Sequence, residues 1–517
     1  MPIHGPVLTE PVDLGALLYR GLEADPDGLA LVSMEERETW RELDRKVDRV
    51  AHGLLEIGLR PGDRVASLVP NRDALLIHYL ACMRAGLVIT PLNYRYMAPE
   101  IDHALEVSEA SILFYHAERA ADLEASRQFP RLRLGGLHFA AQPESSPSYE
   151  ELVSRDPETR ELPKPKPHDP AAIFFTSGTT GPPKGVTHSF ESLGWLFASL
   201  IGASELSSED VLLPGSSLSH MGAFMFSFGA LAVGAPVVVP RSFDADELLP
   251  LLREYRPTVL NVLPSPLFRL VRDHGASHGD FTSLRLVRSA GDKVSIELER
   301  EFTELAGFPI DEGYGMTEVG IAALSPPSSV RPGSLGRPVP GFSFSIRNEK
   351  GNEVASGEEG RVWIRSRSCM VGYWNKPQAT REAMRDGWLD TGDLMRADEE
   401  GYLWFRGRRK QIIIHDGSNI CPQEVEEALL EHPALSGAAV VGVHDLLHGE
   451  DVRAYVSFRK EAEPPTAQEL IQFARARVGY KAPEEIVVLD AIPMNVTGKV
   501  DRARIKNMAE ADKAHPE

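Results

Sequence analysis

Ten residues carry the densest chemistry in the chain: Thr176-Ser177-Gly178-Thr179-Thr180-Gly181-Pro182-Pro183-Lys184-Gly185. Glycines let the backbone curl until its N–H groups converge on an anion. Four hydroxyls, on Thr176, Ser177, Thr179 and Thr180, add donors, and Lys184 adds a mobile positive charge. A plain surface turn needs one or two glycines and no lysine, so this composition suits the holding of a phosphate. It is not a Walker A loop, which places Ser or Thr after the lysine; here Gly185 follows Lys184.

Such a loop needs a rigid support, and the apolar run 171–175 just before it reads as a buried strand. Upstream, residues 40–58 carry Leu43, Val47, Val50, Leu54 and Leu55 at helical spacing, followed by a strand at 64–69, a helix at 74–85 and a strand at 88–91. This βα alternation predicts a largely parallel sheet covered by helices. Residues 141–170 are rich in Pro, Ser and charge and read as an exposed connector. Strands are expected at 258–262 and 283–289 and a helix near 295–306. Residues 341–365 alternate like antiparallel hairpins with a turn at Lys350-Gly351. Beyond them, strands at 402–405, 411–414, 438–444 and 452–458 and helices at 424–430 and 467–477 suggest a small α+β unit.

With 517 residues, the chain exceeds the roughly 250–300 residues that one core usually organises. Its formal charge of −20 disfavours a nucleic-acid partner. Three cysteines, Cys82, Cys369 and Cys421, give neither a disulfide scaffold nor a metal knuckle, which suits a reducing cytosol. The segment 211–240 lacks Lys, Arg, Asp and Glu, but Pro236 and its glycines favour a buried helix from about 223 to 233 and a strand at 236–239 over a membrane span. No secretory signal is visible.

Further motifs follow in order: Tyr314-Gly315-Met316-Thr317-Glu318, Gly372-Tyr373 with Pro377 and Thr380, Thr391-Gly392-Asp393, Gly407-Arg408-Arg409-Lys410, and residues 493–502, PMNVTGKVDR. Together with the loop they resemble the adenylate-forming superfamily, in its acyl-CoA synthetase branch, over almost the whole chain. The resemblance implies an α/β fold: a large N-terminal domain (1–409) of two mainly parallel sheets flanked by helices plus a small antiparallel barrel, and a small mobile α+β C-terminal domain (410–517). Lys410 would be the hinge. It also implies that a carboxylate attacks the α-phosphate of ATP, pyrophosphate leaves, and the acyl-adenylate passes to a thiol.

On this resemblance Lys499, projected by Asn495, Thr497 and Gly498, would contact both the carboxylate and the α-phosphate. Thr317 would donate to the α-phosphate, Glu318 would hold Mg²⁺, and Tyr314 would lie against adenine. Asp393 would accept from the ribose hydroxyls and Arg408 would reach ribose or phosphate. Gly291, Glu312 and Gly313 complete the nucleotide set with Thr176, Ser177, Gly178, Thr179, Thr180, Gly181 and Lys184. His220, Met221, Phe224, Met225, Gly291, Asp292 and Gly315 are the candidate acyl pocket, although core packing predicts the same apolar composition at 221–228. No acid stands near His220 where amino-acid-activating relatives place one, so a plain carboxylate with an apolar tail is expected, a medium- or long-chain fatty acid or an aryl acid. Two departures stand out: Gln411 replaces the usual Asp after the hinge, and Asp416 stands where relatives often have Gly. They keep open an acyl-AMP ligase or a carrier-protein-loading enzyme in place of a CoA ligase. The expected small molecules are ATP, Mg²⁺ and coenzyme A. An acyl carrier protein and a second copy of the chain are the open partners, and the expected location is cytoplasmic, with loose membrane association through a long acyl tail.

Overall fold

The computed structural model describes residues 2–33, 36–140, 147–156, 161–176, 183–289, 294, 296–408, 411–415, 418–445, 449–460, 462–495 and 499–514. Ser177, Gly178, Thr179, Thr180, Gly181, Gly291, Asp292, Arg409, Lys410, Asp416, Thr497 and Gly498, all singled out by the sequence, lie outside the described residues.

Two seven-stranded sheets form the body of the large domain. One runs Gly372–Tyr373, Gly185–Ser189, Pro170–Phe175, Val88–Pro91, Arg64–Leu68, Ile112–His116, Gly136–Phe139. From Pro170–Phe175 onward its strands are parallel, and the first two join antiparallel. The other runs Asp311–Glu312, Leu286–Ser289, Val259–Val262, Leu212–Gly215, Val237–Val238, Leu29–Val32, Arg37–Thr39, antiparallel only at the last pair. Helices Phe190–Ser204 and Met221–Val233 contribute to the main core, which draws on both sheets. A second core lies on the far face of the second sheet, under helices Ala245–Tyr255, Pro264–Arg272 and Ile296–Ala306.

Helix Trp40–Glu56 realises the predicted apolar stripe and starts at a capping box between Thr39 and Glu42. The apolar segment at 211–240 folds as a helix of only 13 residues, Met221–Val233, ended by Gly234 at φ +84°. It starts two residues earlier than its periodicity suggests. Among the described residues no helix is long and apolar enough to cross a membrane. The reading of 141–170 as a bare connector is corrected: it contains helix Tyr149–Ser154. Ser148 and Glu151 cap it reciprocally, and Tyr149 and Leu152 are buried, with Leu152 set against Gly53 of helix Trp40–Glu56.

Residues 343–408 supply most of a six-stranded antiparallel sheet, including the predicted hairpin Ser343–Arg347 with Glu359–Arg365, whose turn carries Gly351 at φ +81°. The small domain has its own five-stranded sheet, Ser418–Ile420, Ile413–His415, Gly449–Phe458 and Leu435–Asp445, with Glu485–Val488 joining parallel to Gly449–Phe458. It has its own apolar core as well.

Candidate active site

Loops at the C-terminal ends of strands from the two sheets touch: Asn71 Nδ2 donates to the Ser216 carbonyl at 2.9 Å and Asn93 Nδ2 to His220 Nε2 at 3.1 Å, and such strand ends are where open α/β sheets gather ligands. Phe175 ends in Thr176, Gly215 in the turn to His220, and Glu312 in Gly313. The neck of the glycine-rich loop is closed twice: the Thr176 N–H donates to the Lys184 carbonyl at 3.2 Å, and the Lys184 N–H donates to Thr176 Oγ1 at 3.4 Å. Lys184 Nζ stands 4.6 Å from the ring centre of Tyr373. That phenol donates to Glu318 Oε1 at 2.8 Å.

Tyr314–Met316 pairs with Gly320–Leu324, and Thr317 and Glu318 sit in the connecting turn. Gly315 has to be glycine, because a Cβ there would lie 2.4 Å from the Gly320 carbonyl oxygen. The turn is anchored from two sides. His188 Nε2 donates to the Thr317 carbonyl at 2.8 Å, and the Met370 N–H donates to the Glu318 carbonyl at 2.7 Å. Burial pushes His188 down to about 4, so the ring is neutral at neutral pH with its proton on Nε2. Glu318 is 6% exposed, and burial raises its carboxyl above the usual range against the pull of Tyr373 and of the Lys184 charge. A buried carboxylate with no ion pair among the described residues, close to the neck of the glycine-rich loop, has the chemistry to hold a hard divalent cation.

Asp393 forms the other half of the site. It is 3% exposed on strand Trp388–Ala397, and the register sets Arg408 directly opposite. Arg408 Nε lies 3.2 Å from Asp393 Oδ1, and the buried Tyr314 hydroxyl donates to Oδ2 at 2.7 Å. Burial raises the Asp393 carboxyl, while Arg408, Tyr314 and the charge of Lys499 pull it down. The hydroxyl contact from Tyr314 adds to the adenine-facing position that the motif implies.

His220 precedes helix Met221–Val233, and its Nε2 accepts from Asn93 Nδ2 at 3.1 Å. Burial, then the charge of Lys499, push it down to about 4. The Lys499 turn is tied by the Asn495 N–H to the Lys499 carbonyl at 2.7 Å and by the Lys499 N–H to Asn495 Oδ1 at 3.1 Å. A lysine of the small domain therefore acts electrostatically on groups from two parts of the large one. A second interdomain tie is Arg459, whose Nη2 lies 2.9 Å from Glu297 Oε2.

Among the acyl-side candidates, Met221 is 7% exposed, and Phe224 and Met225 are fully buried in the main core. Phe224 is ringed by Tyr79, Phe174, Phe197 and Phe228 at centroid separations of 4.5–6.0 Å. Glu312 is 5% exposed, and a Cβ on Gly313 would meet Leu324 at 2.5 Å. Sequence reasoning missed His188, a lone histidine in a buried strand. It quoted Tyr373 in a motif without foreseeing its bond to Glu318.

The AMP-binding enzyme family model matches residues 18–374, and the AMP-binding enzyme C-terminal domain model matches residues 424–499. The chain belongs to the AMP-binding enzyme family, within the adenylate-forming acyl-CoA ligases, and is an acid–thiol ligase. It is 34% identical over 504 residues to the indoleacetate–CoA ligase of Aromatoleum aromaticum, covering 96% of this chain and 98% of that protein. Identity to the feruloyl-CoA synthase of an Amycolatopsis species is 33% over 504 residues, covering 95% and 98%. The crystal structure of ATP-bound MatB from Rhodopseudomonas palustris superposes with a TM-score of 0.89 at 29% identity, over 96% of this chain and 99% of that one.

Proposed function

We propose that this enzyme activates an apolar carboxylic acid, a medium- or long-chain fatty acid or an aryl acid, with ATP, and transfers the acyl group to coenzyme A. In the first half-reaction a carboxylate oxygen bonds to the α-phosphorus, the bond from that phosphorus to the bridging oxygen breaks, and pyrophosphate leaves. In the second, the thiol sulfur bonds to the acyl carbon, the bond to the AMP oxygen breaks, and the thiol proton is released.

Two anions must meet in the first step, so donors and cations have to converge on the phosphates. The glycine-rich loop and Lys184 serve the phosphates, Thr317 and Lys499 the α-phosphate, Asp393 and Arg408 the ribose, and Tyr314 the adenine and Asp393 together. Glu318 would hold Mg²⁺, which neutralises phosphate charge when bound. Residues 1–409 and 410–517 act as two domains turning about Lys410, which admits the thiol after the adenylate has formed.

The observation that supports this reading best is the buried Asp393 held by Arg408 Nε at 3.2 Å and by the Tyr314 hydroxyl at 2.7 Å, with the charge of Lys499 lowering both this carboxyl and the His220 imidazole. The apolar tail is supported by helix Met221–Val233, which carries no charged residue. Transfer to a carrier protein, or release of the adenylate itself, is the second reading, favoured by Gln411 and Asp416. Gln411 Oε1 accepts from Gln423 Nε2 at 3.4 Å, where the usual carboxylate would be charged.

The test is a pyrophosphate-release panel of acids from acetate to stearate with benzoate-type acids and β-amino acids, each with and without CoA. Release with apolar acids and CoA-dependent turnover is expected. Turnover of β-amino acids alone would refute the apolar-acid reading, and release without thioester would favour the second.

A further inference from the structure

Strand Val259–Val262 separates two cores. Leu260 and Val262 face the core on the far side of the second sheet, and Val259 faces the main one. Side chains alternate along a strand, so Asn261 shares the face of Val259. That face looks onto helix Met221–Val233. The Asn261 Oδ1 lies 4.0 Å from the place a Cβ would occupy on Gly222, and, its chain neighbours and own helix backbone aside, no other atom of the described residues comes within 4 Å of that point. The helix thus carries a notch in its first turn, two residues after His220.

Asn261 is only 4% exposed, and no side-chain hydrogen bond joins its carboxamide to another described residue, while its amide atoms are absent from the fully enclosed unpaired ones, so the tip opens onto accessible space. Its neighbours in the sheet do not serve it. Pro214 and Arg288 stand beside it in register. Proline offers no side-chain polar group, and the Arg288 guanidinium turns its terminal nitrogens to Asp311 and to the Ala203 carbonyl at 3.0 Å, with Nε making no bond to Asn261. An amide tip that opens onto a space within an apolar wall offers a ligand an unused hydrogen bond. One that faces a notch beside the acyl-side histidine is placed to be satisfied by a ligand.

We propose that the acyl pocket runs from His220 past Gly222 to Asn261, and that the preferred acid carries a hydrogen-bond donor, a hydroxyl or N–H, at the end remote from its carboxylate. This rests on the acid-activating reading above and adds the substrate's distal chemistry to it. The Asn261 oxygen receives the donor, and the absent side chain at Gly222 gives the tail its room. A pocket with a committed polar group rejects the analogue lacking its partner more strongly than an apolar pocket rejects a missing methylene.

The test uses the full-length enzyme and three matched pairs of acids: 3-(4-hydroxyphenyl)propenoate with 3-phenylpropenoate, indol-3-ylacetate with naphth-1-ylacetate, and 8-hydroxyoctanoate with octanoate. The measurement is kcat/KM for pyrophosphate release. The donor-bearing acid is expected to win by about tenfold in at least one pair. Asn261→Leu should bring that ratio close to one, and Gly222→Leu should depress ring acids relative to propanoate. Ratios near one in all three pairs, or a preference that survives Asn261→Leu, would overturn the proposal while leaving acid activation intact. No pyrophosphate from any acid would overturn the acid-activating reading as well. The native ratios need no variant, so the test survives a substitution that fails to fold.

Discussion

Tyr314→Phe removes one hydroxyl and leaves the ring. The lost bond is the 2.7 Å donation to Asp393 Oδ2, between a phenol that is 7% exposed and a carboxylate that is 3% exposed. A hydrogen bond to a charged group contributes about 1.5–3 kcal/mol, and one pH unit corresponds to about 1.36 kcal/mol. Arg408 cannot make up the loss fully, since its side chain is 45% exposed and its charge is screened. Burial already raises the Asp393 carboxyl, and removing a group that pulls it down raises it further. The acid limb of kcat/KM for ATP should therefore move to higher pH by about one to two units. The linkage has a definite sign. A carboxyl whose folded-state pKa is raised binds its proton more tightly in the native state, so stability falls as pH rises from the unfolded value through the folded one. The variant should thus lose more melting temperature than the native enzyme as pH rises above the ordinary carboxyl value. Pyrophosphate release at saturating acid, followed from about pH 5 to 9, reads the first effect, and thermal melts over the same range read the second. Superposable acid limbs would show that Tyr314 does not govern Asp393.

Gly315→Ala puts a methyl 2.4 Å from the Gly320 carbonyl oxygen, so the hairpin carrying Thr317 and Glu318 must shift; overpacking of this kind costs about 1–3 kcal/mol, and adenylate formation should fall at least tenfold, as measured by ATP–pyrophosphate exchange. Arg459→Ala breaks the half-buried interdomain tie to Glu297, which contributes about 1 kcal/mol at most; adenylation should slow by up to about fivefold in single-turnover experiments, with thioester formation from supplied adenylate unslowed. His188 is depressed from 6.5 to about 4, so the stability gained by keeping it neutral is full above pH 6.5 and lost as pH falls towards 4. His188→Gln should lose less melting temperature across that window, by the equivalent of about 3 kcal/mol.

The residues proposed to carry chemistry stand out in the sequence because they sit in short local runs. Lys184, Thr317, Glu318, Asp393, Arg408 and Lys499 each stand in a motif of a few residues. Their mutual placement was not legible, because strand register sets it over long separations. Nothing local says that Tyr314 meets Asp393, or that Tyr373 meets Glu318. Helix Tyr149–Ser154 was obscured by flanking Pro and Ser, although Ser148 and Glu151 carry a capping signature. The acyl side was the least legible part. Phe224 and Met225 suit a pocket wall and a core equally in composition, and both are fully buried. Asn261 and Gly222 gave no signal at all, since a single amide in an apolar strand matters only when the opposite helix lacks a side chain.

Lys499 is a small-domain lysine whose charge lowers both the Asp393 carboxyl and the His220 imidazole. The most direct measurement compares the two half-reactions in Lys499→Ala. Adenylate formation, followed by pyrophosphate release, should be nearly abolished, while thioester formation from supplied acyl-adenylate and CoA stays close to the native rate. Unimpaired adenylation, or equal damage to both steps, would contradict it.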